Sequence, residues 1–494
     1  MFPFLLEPLN NKWLKQKLKI IVENSAGVHY NKLISVEELA VTMQKIQRFH
    51  LTIFQIISLG FASLILVGTG MLMLPISSKS GEFTSFIDSL FTATSATCVT
   101  GLTTLTTSEH WTFFGQAVIL LLIEIGGLGF MSIPVMFFVL SKRKISLSIR
   151  MVLREALNSE KMSGEVHSLL RLLKIALSIQ GLGIVLLALR FVPLMGWQKG
   201  LWYSLFHAIS SFCNAGFDLF GNSLVSFQKD PWVLMVISFL IIAGGLGFFV
   251  WSSLLSAAQR KIHLNLHSQI ALLVTISLLV LGTLGFFITE YHNPVLFVEG
   301  DLLKRFCNTF FMAVTPRTAG FFSIDYASMT HAGLMLTMIL MFIGGTSGST
   351  AGGLKTTTLG VLLIRMHSTF KGRSQAEFRG RMIKEGTVMR AFSLFFLFLT
   401  LIILSTIILS VTETIPDING LGLEYIVFEV ISAIGTVGLT MGLTPDLSII
   451  GKIIIVLLMF IGRVGVMTFF FSLVARANKK EAKFKYPEET VMIG

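Results

Sequence analysis

Three long runs of the sequence contain no Asp, Glu, Lys or Arg: residues 51–75, 231–257 and 391–412. A helix needs about 20 apolar residues to cross the ~30 Å hydrocarbon core of a bilayer, and each run meets that length. A soluble domain carries more charge than the 13% found here, where 53% of the residues are hydrophobic. The runs therefore predict an all-α membrane protein with several spans and exclude a soluble globular fold.

Long apolar segments alternate with short ones along the chain. We interpret eight segments as spans: 51–75, 113–141, 175–195, 231–257, 270–289, 331–366, 391–412 and 453–475. Between the members of each successive pair lies a piece too short to cross, at 84–97, 201–213, 302–315 and 423–436. Pieces of that length are typical of re-entrant helices. The predicted unit is a span, a re-entrant half-helix and a second span, and it occurs four times around a central pore.

Two glycine patterns repeat in register with this unit. A glycine that precedes a large apolar residue follows each half-helix: Gly101, Gly216, Gly320 and Gly438. Each second span then contains a further glycine motif: IGGLGF (125–130), AGGLGF (243–248), IGGTSG (343–348) and IGRVG (461–465). A single glycine pair indicates only close helix packing. Two registers that agree across four copies indicate an internal repeat.

The repeats divide the chain into six parts. These are a cytosolic arm (1–50), pore repeat 1 (51–141), pore repeat 2 with its preceding cytosolic loop (142–258), pore repeat 3 (259–366), pore repeat 4 (367–475) and a cytosolic tail (476–494). Lys and Arg concentrate in the arm, the tail and the loops that join the repeats. The positive-inside rule then places both termini in the cytoplasm. The half-helices are expected to enter the membrane from outside.

A half-helix that enters from outside points its partly negative C-terminal end towards the membrane centre. Four such ends would stabilise a cation, and a ring of backbone carbonyls can replace the hydration shell of a monovalent ion. Glycine permits the backbone angles that such a ring requires. The predicted selectivity filter consists of Val99, Thr100, Gly101, Asn214, Ala215, Gly216, Thr318, Ala319, Gly320, Thr436, Val437 and Gly438.

The sequence GGTSGSTAGGLKTTT (344–358) lies inside the second span of repeat 3. A phosphate-binding loop would require a different spacing before the lysine, and a strand rather than a long apolar helix before the glycines. An unbroken helix from 331 to 365 would be about 52 Å long at 1.5 Å per residue, so we expect this span to be interrupted at 344–353. It is expected to be the one broken second span of the four, with the helix resuming near Lys355 and Thr356.

We interpret this interruption as a gate that lies across the pore beneath the filter. The predicted gate residues are Gly344, Gly345, Thr346, Ser347, Gly348, Ser349, Thr350, Ala351, Gly352, Gly353, Lys355 and Arg463. Arg463 occupies the position at which the other three copies have glycine, and its charge would oppose cations in a low-dielectric cavity. A further hypothesis is a buried salt bridge between Arg317 and Glu429 that braces the filter, because an isolated charge in the membrane is costly.

Together, SATCVTGL, SSFCNAGF, TPRTAGFF, SAIGTVGL, GSTAGGLKTTT and FIGRVG resemble the Trk/Ktr/HKT superfamily of potassium transporters. The likeness covers about residues 50–475 and is closest to the KtrB type, the eight-span membrane subunits of bacterial Ktr systems. The resemblance implies potassium uptake across the bacterial cytoplasmic membrane, with potassium bound at the filter carbonyls and sodium as a possible stimulant. It also implies a homodimer and a cytosolic, nucleotide-binding regulatory ring of the KtrA type. No cofactor of the chain itself is expected.

Three alternatives stay open at this point. The first is a TrkH-type member of the same superfamily, the second is a sodium-permeable member, and the third is a secondary transporter of another fold. Secondary transporters more often contain inverted repeats, whereas these repeats run in the same direction. An enzyme is not expected, since no converging nucleophile, base or metal ligands are visible. Cys98, Cys213 and Cys307 have no metal-ligand company and suggest no disulfide framework.

Overall fold

The computed structural model describes residues 52–129, 165–260, 263–293, 301–414 and 422–474, together with Glu489 and Met492. The predicted N-terminal arm, the loop that follows the first repeat and nearly all of the tail lie outside the described residues. The described part is helical except for one two-stranded hairpin and the connecting loops.

Sixteen α-helices are found in the described part of the chain. The first eight are α1 (Ile53–Met73), α2 (Phe86–Cys98), α3 (Thr107–His110), α4 (Phe113–Leu128), α5 (Glu165–Met195), α6 (Trp197–Cys213), α7 (Pro231–Gly245) and α8 (Phe248–Arg260). The next four are α9 (Leu266–Thr289), α10 (Leu302–Val314), α11 (His331–Phe342) and α12 (Thr356–Phe370). After the hairpin of β1 (Glu377–Phe378) and β2 (Arg381–Met382) come α13 (Glu385–Thr412), α14 (Leu423–Gly435), α15 (Ile449–Val464) and α16 (Val466–Val474).

The predicted second spans all begin in the same way. A side-chain oxygen at the N-cap of α4, α7, α11 and α15 accepts a hydrogen bond from a backbone N–H in the first helical turn. The four caps are Thr112, Asp230, Thr330 and Ser448. Such a cap satisfies one of the amide groups that the start of a helix leaves without a partner. The same local device therefore fixes where each of these helices starts.

The second spans do not continue as straight helices. The axes of α7 and α8 differ by 95°, and those of α15 and α16 differ by 101°. Gly247 and Gly465 stand at these two bends with φ of +85° and +97°, values that disfavour a side chain. The expectation that only the third repeat has a broken second span is therefore wrong. Compared with the bends at Gly247 and Gly465, the interruption in the third repeat is longer and runs from the end of α11 at Phe342 to the start of α12 at Thr356.

Four described helices are long and apolar enough to cross a membrane, or up to six if each bent pair counts as one span. The four are the predicted first spans α1, α5, α9 and α13, and they expose many large apolar side chains, including Leu66, Leu189, Leu281 and Ile407. The short helices α2, α6, α10 and α14 lie inside, and their C-terminal halves are almost wholly buried. The interior therefore holds the short helices, and the long helices cover them with an apolar exterior.

Candidate functional site

The loops that follow the four short helices share a backbone conformation. The C-cap residues of α2, α6 and α14 have a positive φ: +57° at Val99, +61° at Asn214 and +50° at Thr436. Helix α10 instead ends at Thr315, which keeps helical angles, and the equivalent positive φ, +71°, comes three residues later at Thr318. Two residues later comes the repeated glycine, with φ of +100°, +70°, +79° and +90° at Gly101, Gly216, Gly320 and Gly438. A left-handed residue reverses the chain at a helix end, and non-glycine residues rarely adopt it. The backbone thus turns in the same way before each of the four glycines, at the helix end itself in three copies and three residues later in the third.

The four glycines form a closed circuit. A Cβ built on Gly101 would lie 2.6 Å from the carbonyl oxygen of Ala215, the residue before Gly216. In the same way, Gly216 faces the Ala319 oxygen at 2.9 Å and Gly320 faces the Val437 oxygen at 2.7 Å. Gly438 faces the Thr100 oxygen and so returns the circuit to its start. Only glycine fits at these approaches, and the four loops therefore surround one axis.

Hydroxyl groups and backbone carbonyls of the short helices hold this ring in place. The hydroxyl oxygens of Ser95 and Ser432 accept from the amides of Gly101 (3.0 Å) and Gly438 (3.1 Å). The backbone amide before each of these glycines is bonded to the same serine, at its carbonyl oxygen. In the second loop, the Ser210 hydroxyl donates to the carbonyl of Phe217 at 2.8 Å. These bonds fix the backbone without using the carbonyls of the ring itself.

The second glycine motif lies directly behind the ring. The first glycine of the pair packs against the penultimate carbonyl of a short helix in three copies: Gly126 on Thr97, Gly244 on Phe212 and Gly462 on Ile434. In the third copy, Gly344 instead faces the carbonyl of Gly352 in the interruption that follows it. The repeated spacing between the two glycine motifs therefore reflects contact between helix and half-helix.

Residues 343–355, which we call the intramembrane loop, form a loop whose two ends lie side by side. The amide of Gly344 donates to the carbonyl of Leu354 at 2.9 Å, so the chain returns to the place where it left α11. Helix α12 resumes at Thr356 with Lys355 as its N-cap, as the sequence predicted. The loop hydroxyls are paired: Thr346 with Thr356 and Ser347 with Thr357, each at 3.0 Å.

The loop is also tied to its surroundings. The amide of Thr346 donates to the carbonyl of Gly245 at 3.0 Å, and the amide of Phe248 donates to the carbonyl of Gly348 at 2.9 Å. The Thr350 hydroxyl donates to the carbonyl of Phe212, at the end of α6. Non-helical backbone at membrane depth persists only where protein or water satisfies its polar groups. Here the bend between α7 and α8 supplies several of the partners.

Two basic side chains bind carbonyls of the loop. Lys355 Nζ donates to the carbonyls of Ala351 (2.7 Å) and Gly352 (3.2 Å) and so closes the loop from within. Arg463, on α15, donates to the carbonyl of Thr350 in the loop and to those of Gly126 and Gly127 on α4. Its guanidinium therefore joins α15, α4 and the intramembrane loop at one point.

The sequence of the chain matches the TrkH model, described as cation transport protein, over residues 26–484. The chain belongs to this cation transport family. A potassium/sodium uptake protein of Enterococcus hirae, NtpJ, is 59% identical over 92% of this chain and 99% of that protein. The Ktr system potassium uptake protein B of Bacillus subtilis is 41% identical over 89% of this chain and 96% of that protein.

A solved structure supports the fold independently. The crystal structure of the potassium transporter TrkH from Vibrio parahaemolyticus aligns with a TM-score of 0.66 and covers 85% of this chain and 84% of that one. The sequence identity is 17%, so this likeness concerns the fold. The superfamily predicted from the motifs is confirmed, and the chain belongs to a family of transporters, not enzymes.

The predicted salt bridge between Arg317 and Glu429 is wrong. Arg317 lies against α9 and donates to the hydroxyl of Thr275 at 3.4 Å, while its buried Nε has no partner in the described part of the chain. Glu429 accepts from the hydroxyls of Thr440 and Thr444, the latter at 3.0 Å. The hydroxyls of its own loop satisfy the carboxylate, so it needs no cation.

Sequence reasoning missed two acidic clamps. Glu290, at the end of α9, accepts from the hydroxyl of Thr330 at 2.6 Å, and Glu413, at the end of α13, accepts from the hydroxyl of Ser448 at 2.6 Å. The first clamp joins the end of α9 to the start of α11, and the second joins the end of α13 to the start of α15. The recurrent Thr-Glu pair at 289–290 and 412–413 is the pattern that would have indicated them.

Sequence reasoning also left Glu124 without a partner. Its carboxylate accepts from the amide of Gln180 at 3.0 Å and from the Cys213 thiol at 3.3 Å. Glu124 lies on α4, Gln180 on α5 and Cys213 at the end of α6, so the cluster joins repeats 1 and 2 beside the ring. No sequence pattern links these three positions.

Proposed function

We propose that this chain takes up potassium through a pore whose selectivity filter is the ring at Gly101, Gly216, Gly320 and Gly438. The observation that carries the proposal is the closed circuit in which each glycine faces the carbonyl that precedes the next glycine. The similarity to uptake proteins whose names include potassium agrees with it. In this proposal the eight predicted spans and four half-helices surround a single pore.

The proposed chemistry is dehydration and passage. A potassium ion that enters the ring exchanges water for backbone carbonyls, and the C-terminal ends of the four short helices contribute partial negative charge. Each loop has one glycine in its turn, so few well-defined ion sites are expected. The chain needs no cofactor for this step, since potassium is the cargo.

The intramembrane loop and Arg463 form the proposed gate. Arg463 holds the loop carbonyl of Thr350 while also binding α4, which would keep the loop across the path beneath the ring. A positive charge at this place also raises the barrier to cations in a low-dielectric cavity. Opening requires the loop to leave Arg463 and its partners on α7 and α8.

Control of this gate would come from the cytosolic side. The hairpin of β1 and β2 turns at Arg379 and Gly380, both with positive φ, and lies between α12 and α13. It is held by the bond from Arg365 to the Ser374 carbonyl and by the ion pair of Arg373 with Glu377. Exposed cations project around it, at Lys371, Arg379, Arg381, Lys384 and Arg390. This surface would bind an acidic face of a nucleotide-binding regulatory ring of the KtrA type. In this proposal the chain forms a homodimer in the bacterial cytoplasmic membrane, both termini lie in the cytoplasm, and the ring lies beneath the dimer.

Sodium permeation is the second candidate function. The similar protein of Enterococcus hirae is named for both potassium and sodium. A ring of carbonyls selects between the two ions through its size and field strength. Sodium would act either as a second cargo or as a stimulant of potassium uptake.

Rubidium uptake into a potassium-auxotrophic bacterial host tests both functions. Expression of the chain should restore growth on low potassium and drive uptake of rubidium, with a further increase when a regulatory ring subunit is co-expressed. Sodium in excess should leave rubidium uptake unchanged or raise it if sodium stimulates, and should reduce it if sodium shares the pore. Absence of rubidium uptake and of growth rescue, with the protein present in the membrane, would contradict potassium uptake.

A further inference from the structure

A cavity of about 800 Å³ lies outside the ring and the intramembrane loop. It lies between α5 on one side and the bent pair of α7 and α8 on the other, and it is open to the surroundings of the protein. The lining residues are Arg171, Lys174, Ile175, Ser178, Ile179, Phe239, Trp251, Ser252, Leu255, Ser256 and Gln259. The proposed transport of potassium uses none of these side chains.

The polar side chains that line the cavity are suited to an anion. Arg171 and Lys174 lie one helical turn apart on α5, so their side chains share a face. Neither has an acidic side chain within salt-bridge distance in the part of the chain that the structure describes. The hydroxyls of Ser252 and Ser256 and the amide of Gln259 stand opposite, on α8. Two unpaired cations beside hydroxyl and amide donors match the recognition of a phosphate group.

The cavity also has an apolar lining. It includes Ile175 and Ile179 on α5, Phe239 on α7 and Leu255 on α8. Phe239 is 45% exposed and Leu255 is 41% exposed, so this apolar lining is open to the surroundings of the protein. A free phosphate ion gains nothing from contact with an apolar surface, whereas an acyl chain is stabilised when it covers one.

The position of the cavity fits the boundary of a bilayer. The apolar stretch of α5 runs over Leu173–Met195, and the two cations stand at its beginning. Helix α8 leaves α7 at 95°, so α7 and α8 cannot both run across the membrane, and with α7 as the crossing helix α8 runs along this boundary. The basic loops on this side indicate the cytoplasmic face by the positive-inside rule. Basic pockets between helices on that face are suited to anionic lipid headgroups.

We propose that this cavity binds an anionic phospholipid, with its phosphate at Arg171 and Lys174 and an acyl chain along Phe239 and Leu255. The bound lipid would hold α8 against α5. Because the amide of Phe248, the first residue of α8, donates to the carbonyl of Gly348, the lipid would also steady one partner of the intramembrane loop.

Native mass spectrometry of the purified full chain tests this. Phosphatidylglycerol should remain bound to the protein at concentrations at which phosphatidylethanolamine does not. The double variant Arg171→Gln/Lys174→Gln should weaken phosphatidylglycerol binding about thirtyfold, the factor for two cations that contribute about 1 kcal/mol each near a membrane surface. The matched control is Lys371→Gln/Arg390→Gln, which removes two exposed cations at the hairpin and should bind like the wild type.

A second variant and a competitor complete the test. Ser256→Trp keeps both cations but fills the cavity, and it should also reduce phosphatidylglycerol binding. If the double variant aggregates, lipid binding by Ser256→Trp tests the proposal in its place. Inorganic phosphate at millimolar concentration should leave the lipid adduct in place, and displacement by phosphate would show a site for free anions instead. Equal losses in the double variant and the control would show general surface charge. No adduct in the wild type would mean that another segment of the chain fills the cavity, and would overturn the proposal.

Discussion

Replacing Arg463 tests the proposed gate most directly. Its guanidinium donates to the carbonyl of Thr350 in the intramembrane loop and to those of Gly126 and Gly127 on α4. The first of these bonds joins Arg463 to the part that is proposed to move. Arg463→Gln removes both the charge and the forked geometry, and Arg463→Lys keeps the charge alone.

The size of the effect follows from the number of bonds that opening breaks. A hydrogen bond to a charged group contributes about 1.5–3 kcal/mol. Opening breaks the bond to Thr350 while the bonds to α4 can remain. Loss of that one bond shifts the balance between closed and open states by roughly ten- to hundredfold. Arg463→Gln should therefore raise rubidium influx without the regulatory ring, up to the level at which the pore is always open.

The lysine variant separates the two effects of Arg463. If its positive charge is the main barrier, Arg463→Lys should transport like the wild type, because the charge is unchanged. If the bond to Thr350 closes the pore, Arg463→Lys should resemble Arg463→Gln, since one ammonium group cannot reach three carbonyls in the same geometry. The measurement is initial rubidium uptake per amount of protein in the membrane. Unchanged, fully regulated uptake in both variants would refute the gate and leave Arg463 as a packing residue.

Three further expectations concern the ring, the loop and the clamps. Gly438→Ala should lower the preference for potassium over sodium, because its Cβ would clash with the Thr100 carbonyl, and the measurement is rubidium uptake in competition with sodium. The control Gly442→Ala has similar backbone strain, but its Cβ meets nothing within 4 Å, so this variant should transport normally. Deletion of 346–352 should raise influx and reduce its dependence on the ring subunit, since the ends of the loop already meet; a folded deletion with regulated transport would contradict the gate. Glu413→Gln should lower the unfolding temperature through loss of about 1 kcal/mol of charge-assisted bonding, whereas exposed Asp446→Asn should not, and equal stability of both variants would contradict the clamp.

Patterns that depend on local backbone were predictable from the sequence. The glycine after each half-helix and the interruption after Phe342 both follow from rules about glycine and helix length. The bends at Gly247 and Gly465 were missed for a physical reason. A bilayer accepts a bent apolar helix as readily as a straight one, so hydropathy does not distinguish them. Mean hydropathy over a helix-length window also does not reveal that one glycine in it has a positive φ.

Contacts between distant segments were not predictable in the same way. The hypothesis that Arg317 needs Glu429 assumed that a buried charge must find the opposite charge. Glu429 instead uses the hydroxyls of Thr440 and Thr444, which stand in its own loop. Glu124 likewise uses an amide and a thiol from the next repeat. Neutral hydroxyl, amide and thiol groups can donate to a carboxylate in place of a cation, and a single sequence does not show which donors lie near it.

The circuit of glycines is made by one chain, so its four quarters are not identical. The oxygens that the glycines face belong to Thr100, Ala215, Ala319 and Val437, and each loop has its own neighbours. In a ring assembled from identical subunits, a single substitution would alter every quarter at once. Here a mutation changes one quarter and leaves three as they were. Evolution can therefore adjust ion preference in small steps, and an experimenter can assign an effect to a single loop without mixing chains.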